Sequence, residues 1–201
     1  MPENQEHPTP DEAALVRESR AGSAASFDRL VHELHPRVFG FLLTLTRNRQ
    51  DAEDLTQDTF VRAWRKLNHF DPSRPLLPWL LTIARRQSIS MLRKKRPLPA
   101  LEIDTVIPAP EPSIAPDLWR TAEKHLTRDA FSALWLHYRE DLPLAEVSRI
   151  LGKREGAVKV LVHRARKTLA EAIRKDSSGP PPLPNTPPPL PSIWNNAHVP
   201  S

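Results

Sequence analysis

The sequence predicts an all-α protein of two small helical domains joined by a proline-rich linker. Proline is abundant and clustered: of 23 residues against only 5 glycines, six fall between Pro97 and Pro116 and nine between Pro180 and Pro200. Stretches so poor in amide donors sustain neither a helix nor a central strand. The intervening segments, 10–96 and 117–175, carry apolar residues at helical spacing and lack hairpin dipeptides or sustained alternation. The expected organisation is therefore a flexible N-terminus over 1–9, a first domain over 10–96, an extended linker over 97–116, a second domain over 117–175, and a disordered tail over 176–201.

In the first domain, helices are expected at Asp11–Ala21 and Ser26–Leu34, broken by Gly22. Pro36 suits the first turn of a third helix running to Thr46, where its missing amide costs nothing. A fourth helix spans Gln50–Leu67. Asp71-Pro72-Ser73-Arg74-Pro75 is a turn, and a fifth helix extends from Leu76 to Lys95. The second domain should hold helices at Asp117–Leu126, Arg128–Tyr138, Leu144–Leu151 and Glu155–Arg174. Thr127 is placed to cap the second of these, its hydroxyl accepting an orphan amide.

Composition narrows the chemistry. The 201 residues carry 29 Lys and Arg against 24 Asp and Glu, a net charge of +5, so distribution rather than total must reveal any polyanionic partner. The absence of Cys excludes disulfides and thiolate chemistry. There is no apolar run of the roughly 20 residues that span a bilayer, and the first residues lack a signal peptide's basic start and apolar core. A soluble, cytoplasmic protein without membrane insertion is expected. His32 and His35 sit three apart, but no third ligand is near, so packing or surface roles are expected and no metal or cofactor. There is no phosphate-binding glycine loop and no nucleophile–base pair, which argues against an enzyme.

Two helices have a patterned outer face. On the 50–67 helix, Ala52, Leu55, Thr59, Phe60, Ala63, Trp64 and Leu67 form an apolar arc, while Asp54, Gln57, Asp58, Val61 and Arg65 lie opposite. On the helix from Leu76, the residues Leu77, Leu80, Leu81 and Ala84 pack inward. Arg85, Arg86, Arg93, Lys94, Lys95 and Arg96 follow with no acidic residue among them. Such a stripe neutralises phosphates and releases counterions. The stiff Asp71–Pro75 turn beside it suits the wall of a pocket for one unstacked base. Trp79 reads as a core residue rather than a stacking platform.

The string Asp51-Ala52-Glu53-Asp54-Leu55-Thr56-Gln57-Asp58-Thr59-Phe60-Val61-Arg62-Ala63-Trp64-Arg65-Lys66-Leu67 resembles the polymerase-binding helix of bacterial sigma factors of the sigma-70 family, in the small extracytoplasmic-function (ECF) group. The resemblance continues through Phe70–Arg74 and Trp79–Arg86. It implies that this domain is region 2, with Asp54, Gln57, Asp58 and Val61 facing the clamp of core RNA polymerase. It further implies that Asp71, Ser73, Arg74, Arg85, Arg86, Arg93 and Lys94 hold unpaired −10 DNA. Arg86, Ser90 and Pro75 depart from the family's common Asn, Asp and Gly. Those changes bear on which −10 sequence is selected and leave the basic stripe intact.

In the second domain, Leu144–Leu151 is an amphipathic helix closed by Gly152, and the helix after it is basic on one face. Val158, Leu161, Val162, Ala165, Leu169 and Ile173 form its apolar stripe. Two helices, a tight glycine turn and a basic second helix fit a helix-turn-helix. Gly156-Ala157-Val158-Lys159 followed by Arg164-Ala165-Arg166 resembles sigma region 4, which reads duplex −35 DNA. By position, Lys159, Val160, His163 and Arg164 are groove or base contacts, and Arg154, Arg166 and Lys167 are phosphate contacts. The resemblance implies a promoter-directing subunit that binds core RNA polymerase and promoter DNA, with an anti-sigma protein as partner. The alternative is a helix-turn-helix regulator that is not a polymerase subunit; it has no use for the Asp51–Leu67 string.

Overall fold

The computed structural model describes residues 9–94 and 116–176, so the tail after Asp176, Lys95 and Arg96 of the expected basic stripe, and all but the last residue of the expected linker lie outside the described residues. The described residues form an all-helical protein. Helices α1 (Pro10–Arg20), α2 (Ala24–Thr46), α3 (Arg49–Lys66) and α4 (Leu76–Lys94) make the first domain, with a 3-10 turn at Leu67–His69. Helices α5 (Pro116–His125), α6 (Arg128–Leu134), α7 (Leu144–Leu151) and α8 (Glu155–Asp176) make the second. Pro116, expected as the end of the linker, opens α5.

Side-chain caps set the boundaries. Thr9 caps α1 through the amide of Glu12 at 3.1 Å, Ser23 caps α2, Asn48 caps α3 through Asp51 at 2.9 Å, and Thr127 caps α6 as expected. The start of α4 takes a cap from another helix: Glu12 Oε1 accepts the Leu76 amide at 2.7 Å. Burial raises the Glu12 carboxyl above its ordinary value, and the Leu76 hydrogen bond pulls partly against it.

Three expectations are corrected. Pro36 does not begin a helix; it lies inside the single helix α2. The residues Leu30, Leu34, Val38, Phe41 and Leu45 form one buried stripe across it, each at most 2% exposed, and Pro36 sits on the exposed face. Continuous burial on one side outweighs the roughly 3 kcal/mol that an interior proline costs. The helix expected over 128–138 changes at Trp135 into a π turn, Trp135–Arg139, whose wider ladder lets the chain reverse toward Leu142. On α8 the stripe ends at Ala172, about two helical turns from the buried Ala165, while Ile173 is 40% exposed.

The two domains pack on one continuous core that joins Phe41 and Leu42 to Phe131, Leu134 and Leu136. Thr44 and Ser132 hydroxyls meet at 3.1 Å inside this interface, and Arg47 donates to the Leu126 carbonyl at 2.9 Å. Trp135 seats against α2 at Gly40, where an added Cβ would stand 2.8 Å from Trp135 Cζ2. Glycine is a poor interior helix residue. Here its missing side chain is the space the indole occupies. Beside it, the buried Glu140 carboxylate accepts from Trp135 Nε1 at 3.0 Å and from Arg37 Nε at 2.6 Å.

Candidate polymerase and nucleic-acid surfaces

The outward face of α3 is built by its own periodicity. Ala52, Leu55, Thr59, Phe60 and Ala63 are buried, so Asp54, Gln57, Asp58 and Val61 are turned to solvent. Thr56 belongs to the buried side, its hydroxyl donating to the Ala52 carbonyl at 2.6 Å. Trp64, expected in the apolar arc, is instead 39% exposed. Its ring packs on Phe27 at 4.9 Å, which accounts for the half that is covered. With Val61 it adds a small apolar patch to the acidic face. Gln50 donates to Asp54 at 3.2 Å, while Arg62, Arg65 and Lys66 border the patch.

The 71–75 turn is held by one carboxylate. Asp71 Oδ1 accepts both the Ser73 amide at 3.0 Å and the Ser73 hydroxyl at 2.7 Å, and the Asp71 carbonyl accepts the Arg74 amide at 3.1 Å. These two Ser73 bonds hold the Asp71 carboxyl below its ordinary value. The turn therefore gains from the carboxylate above the ordinary Asp pKa and loses that contribution as pH falls through the lower folded-state value. A carboxyl NMR titration should place Asp71 below the roughly 3.9 of a free Asp, and Ser73→Ala should return it toward that value. An unchanged midpoint in Ser73→Ala would show that the Ser73 hydroxyl does not set the carboxyl.

The turn forms one wall of a cleft of about 580 Å³ between the domains, lined by Asp71, Arg74 and Trp79 on one side and by Pro143, Glu146 and Arg149 on the other. Trp79 is half-buried on Phe70, ring centroids 4.9 Å apart, and its free side faces this cleft. Along α4, the residues Arg86, Arg93 and Lys94 are exposed as the basic stripe requires. Arg85 is not with them: its side chain is 13% exposed and donates to Asp129 of α6 at 3.0 Å. Gln87, inward on the same helix, donates to the Thr59 hydroxyl at 3.0 Å.

The second domain presents its basic helix freely. Gly152 closes α7 with φ +62°, a left-handed conformation that makes the tight turn into α8. Val158, Val162, Ala165 and Leu169 pack inward, which turns Lys159, Val160, His163, Arg164, Arg166 and Lys167 outward, and Arg154 stands exposed just before the helix. Val160 is 49% exposed. Leu161 is only half-buried and packs on the core, in keeping with its expected packing role. Lys159 is paired with Glu155 at 2.9 Å on the same face. Among the described residues there is no group of metal-binding side chains; His35 instead stacks between Phe39 and Phe60. No described helix is long and apolar enough to cross a membrane.

The chain thus presents an acidic helix face in one domain and a basic helix-turn-helix in the other. The chain matches Sigma-70 region 2 over residues 30–97 and Sigma-70 region 4 over residues 119–169. It is 32% identical to the RNA polymerase sigma factor CarQ of Myxococcus xanthus over 77% of this chain and 92% of CarQ. It is 31% identical to the ECF sigma factor BldN of Streptomyces coelicolor over 81% of this chain and 66% of BldN. Among solved structures, the sigma factor RpoE of Bartonella quintana, in complex with the anti-sigma factor NepR, superposes with TM-score 0.63. That match is at 27% identity over 75% of this chain and 98% of RpoE. CnrH, in complex with the cytosolic domain of CnrY, superposes with TM-score 0.61 at 25% identity over 83% of this chain and 99% of CnrH. The chain belongs to the sigma-70 family of RNA polymerase sigma factors, in its ECF group. As a sigma factor it directs promoter-specific initiation by core RNA polymerase and is not itself an enzyme.

Proposed function

We propose that three surfaces divide the work of promoter recognition and opening. Asp54, Gln57, Asp58 and Val61 on α3 dock on core RNA polymerase. Asp71, Ser73, Arg74, Arg85, Arg86, Arg93 and Lys94 capture unpaired −10 DNA, the turn supplying the base pocket and α4 the phosphate contacts. On α8, Lys159, Val160, His163 and Arg164 enter the major groove of the −35 element. Arg154, Arg166 and Lys167 fix its position on the backbone. The observation that carries this reading is the exposure of the outward faces of α3 and α8 in a chain whose two halves match regions 2 and 4 in order.

The domain boundaries at 10–96 and 116–176 follow from the same reading, with the residues between them acting as a tether. Joint engagement of polymerase and two promoter elements then raises specificity through effective concentration. An anti-sigma protein is proposed as a partner, as NepR is of RpoE. A cytoplasmic location fits these partners.

The experiment is run-off transcription with core polymerase, with and without this chain, on promoters recovered by selection. Arg164→Ala should weaken the selected −35 site by about 1–3 kcal/mol and relax preference at one base pair. Lys167→Ala should weaken every sequence alike and lower the salt dependence. Identical selection profiles for wild type and Arg164→Ala would remove base readout from Arg164.

A further inference from the structure

The cleft beside Trp79 has walls of an unusual kind. Trp79 lies on Phe70 and turns its free side into the space, with Pro75 next to it and Pro143 and Ala145 on the α7 side. The volume of about 580 Å³ is that of a binding site rather than a packing gap. Aromatic and proline faces around a groove suit a polyproline II strand, whose prolines pack on the rings. Such a strand makes no internal hydrogen bonds, so its carbonyls are free to accept from donors at the rim. Arg74 and Arg149, the latter paired with Glu146, stand there as donors.

The chain carries a ligand of this chemistry. Pro-Pro-Pro-Leu-Pro occurs twice, at 180–184 and 187–191, in the tail that lies outside the described residues. From Ser177 to Ser201 there is no Asp, Glu, Lys or Arg, so the strand brings no charged side chain of these types into an apolar space. The other proline-rich segment, 97–115, fits less well. No two of its prolines are adjacent, and it carries Glu102, Asp104 and Glu111 toward walls that already hold Asp71 and Glu146. Reach selects one repeat of the tail. Helix α8 starts one tight turn after α7 and runs 22 residues to Asp176, about 33 Å. Pro187 stands 11 residues beyond Asp176, about 34 Å in polyproline II extension. A tail returning along α8 therefore regains the α7 side at the second repeat, whereas the first falls short.

We propose that the Trp79 cleft is the docking site of this chain's own tail, with Pro187–Pro191 lying across Trp79 as a polyproline II strand and Leu190 seated between the walls. The Asp71–Pro75 turn is one wall of the same space, so the docked tail and an unpaired −10 base compete for it. That competition rests on the assignment of the turn to −10 DNA made above.

The test uses the full chain, which has no cysteine of its own. A nitroxide on Ala197→Cys broadens the NMR signals of protons that the tail approaches. The reporter in the cleft is the Trp79 indole N–H, assigned by comparison with Trp79→Phe. The oxidised label should erase this signal, and the reduced label should leave it. Leu190→Asp should restore it, as should Ala145→Arg, which fills the cleft from α7; neither residue belongs to the proposed polymerase or DNA surfaces. A signal untouched by the label, or erased equally in both variants, overturns the docking. So does erasure by nitroxide chains mixed with isotope-labelled ones, which puts a second copy in the cleft. Erasure from Thr105→Cys but not from Ala197→Cys assigns the cleft to the 97–115 segment and overturns it too. Adding a short single-stranded DNA of random sequence should bring the Trp79 signal back. A signal still erased with DNA bound overturns the competition. If Arg74→Ala then binds the strand as wild type does, the −10 assignment of the turn has failed and the docking stands.

Discussion

Reversing two charges, Asp54→Arg with Asp58→Arg, is expected to abolish co-purification with core RNA polymerase. Both carboxylates lie one turn apart on the solvent side of α3, beside the exposed Val61 and Trp64. A surface that meets a complementary partner loses its attraction when neutralised, and reversal adds repulsion worth several kcal/mol. The binding constant should therefore weaken by at least about 100-fold. Stability should change little. Asp54 gives up one exposed hydrogen bond from Gln50, a side-chain pair worth about 0.2–0.5 kcal/mol in a helix, and neither residue supports the core. The checks are a pull-down with core polymerase and a circular-dichroism melt of the same sample. Normal co-purification of a folded double variant would move the polymerase surface elsewhere.

Glu140→Ala should be the most damaging single change to the docked form. The wild-type carboxylate satisfies two donors at once, Trp135 Nε1 and Arg37 Nε, while itself 4% exposed. Its loss leaves the indole N–H buried without an acceptor, which costs about 1–3 kcal/mol. Arg37 is 39% exposed and can turn to solvent, so the full penalty of a broken buried pair is not incurred. Trp135 fluorescence and denaturant unfolding should report loss of the docked state and a destabilisation of about 2–3 kcal/mol. Glu140→Gln keeps an acceptor for the indole and should recover part of it. A wild-type unfolding curve for Glu140→Ala would show that this carboxylate does not hold the domains together.

The two outcomes touch different parts of what was legible. The α3 face was readable because it depends only on spacing: once Leu55, Phe60 and Ala63 are buried, Asp54 and Asp58 have nowhere to point but outward. The same holds for Lys159, His163 and Arg164 opposite Val158 and Val162. Residues at the edge of an arc were harder. Trp64 and Ile173 lie where a few degrees decide between core and solvent, and the neighbouring Phe27 and Ala172 decided it. Pro36 misled because its local cost was visible and the benefit of a five-residue buried stripe across it was not.

From sequence alone the class of fold, the order of the two domains, the helix caps at Thr127 and Gly152, and both patterned faces were determined. These rest on interactions within a few residues, where helical period and capping chemistry leave little choice. Tertiary structure decided the rest: that Gly40 receives Trp135, that Glu140 joins Arg37, that Glu12 caps α4 from another helix, and that Arg85 leaves the basic stripe for Asp129. Each pairs residues far apart in the chain. Their local sequence carries no mark of the partner, because an apolar indole, a carboxylate and a guanidinium are equally consistent with exposure until a second surface arrives to desolvate them.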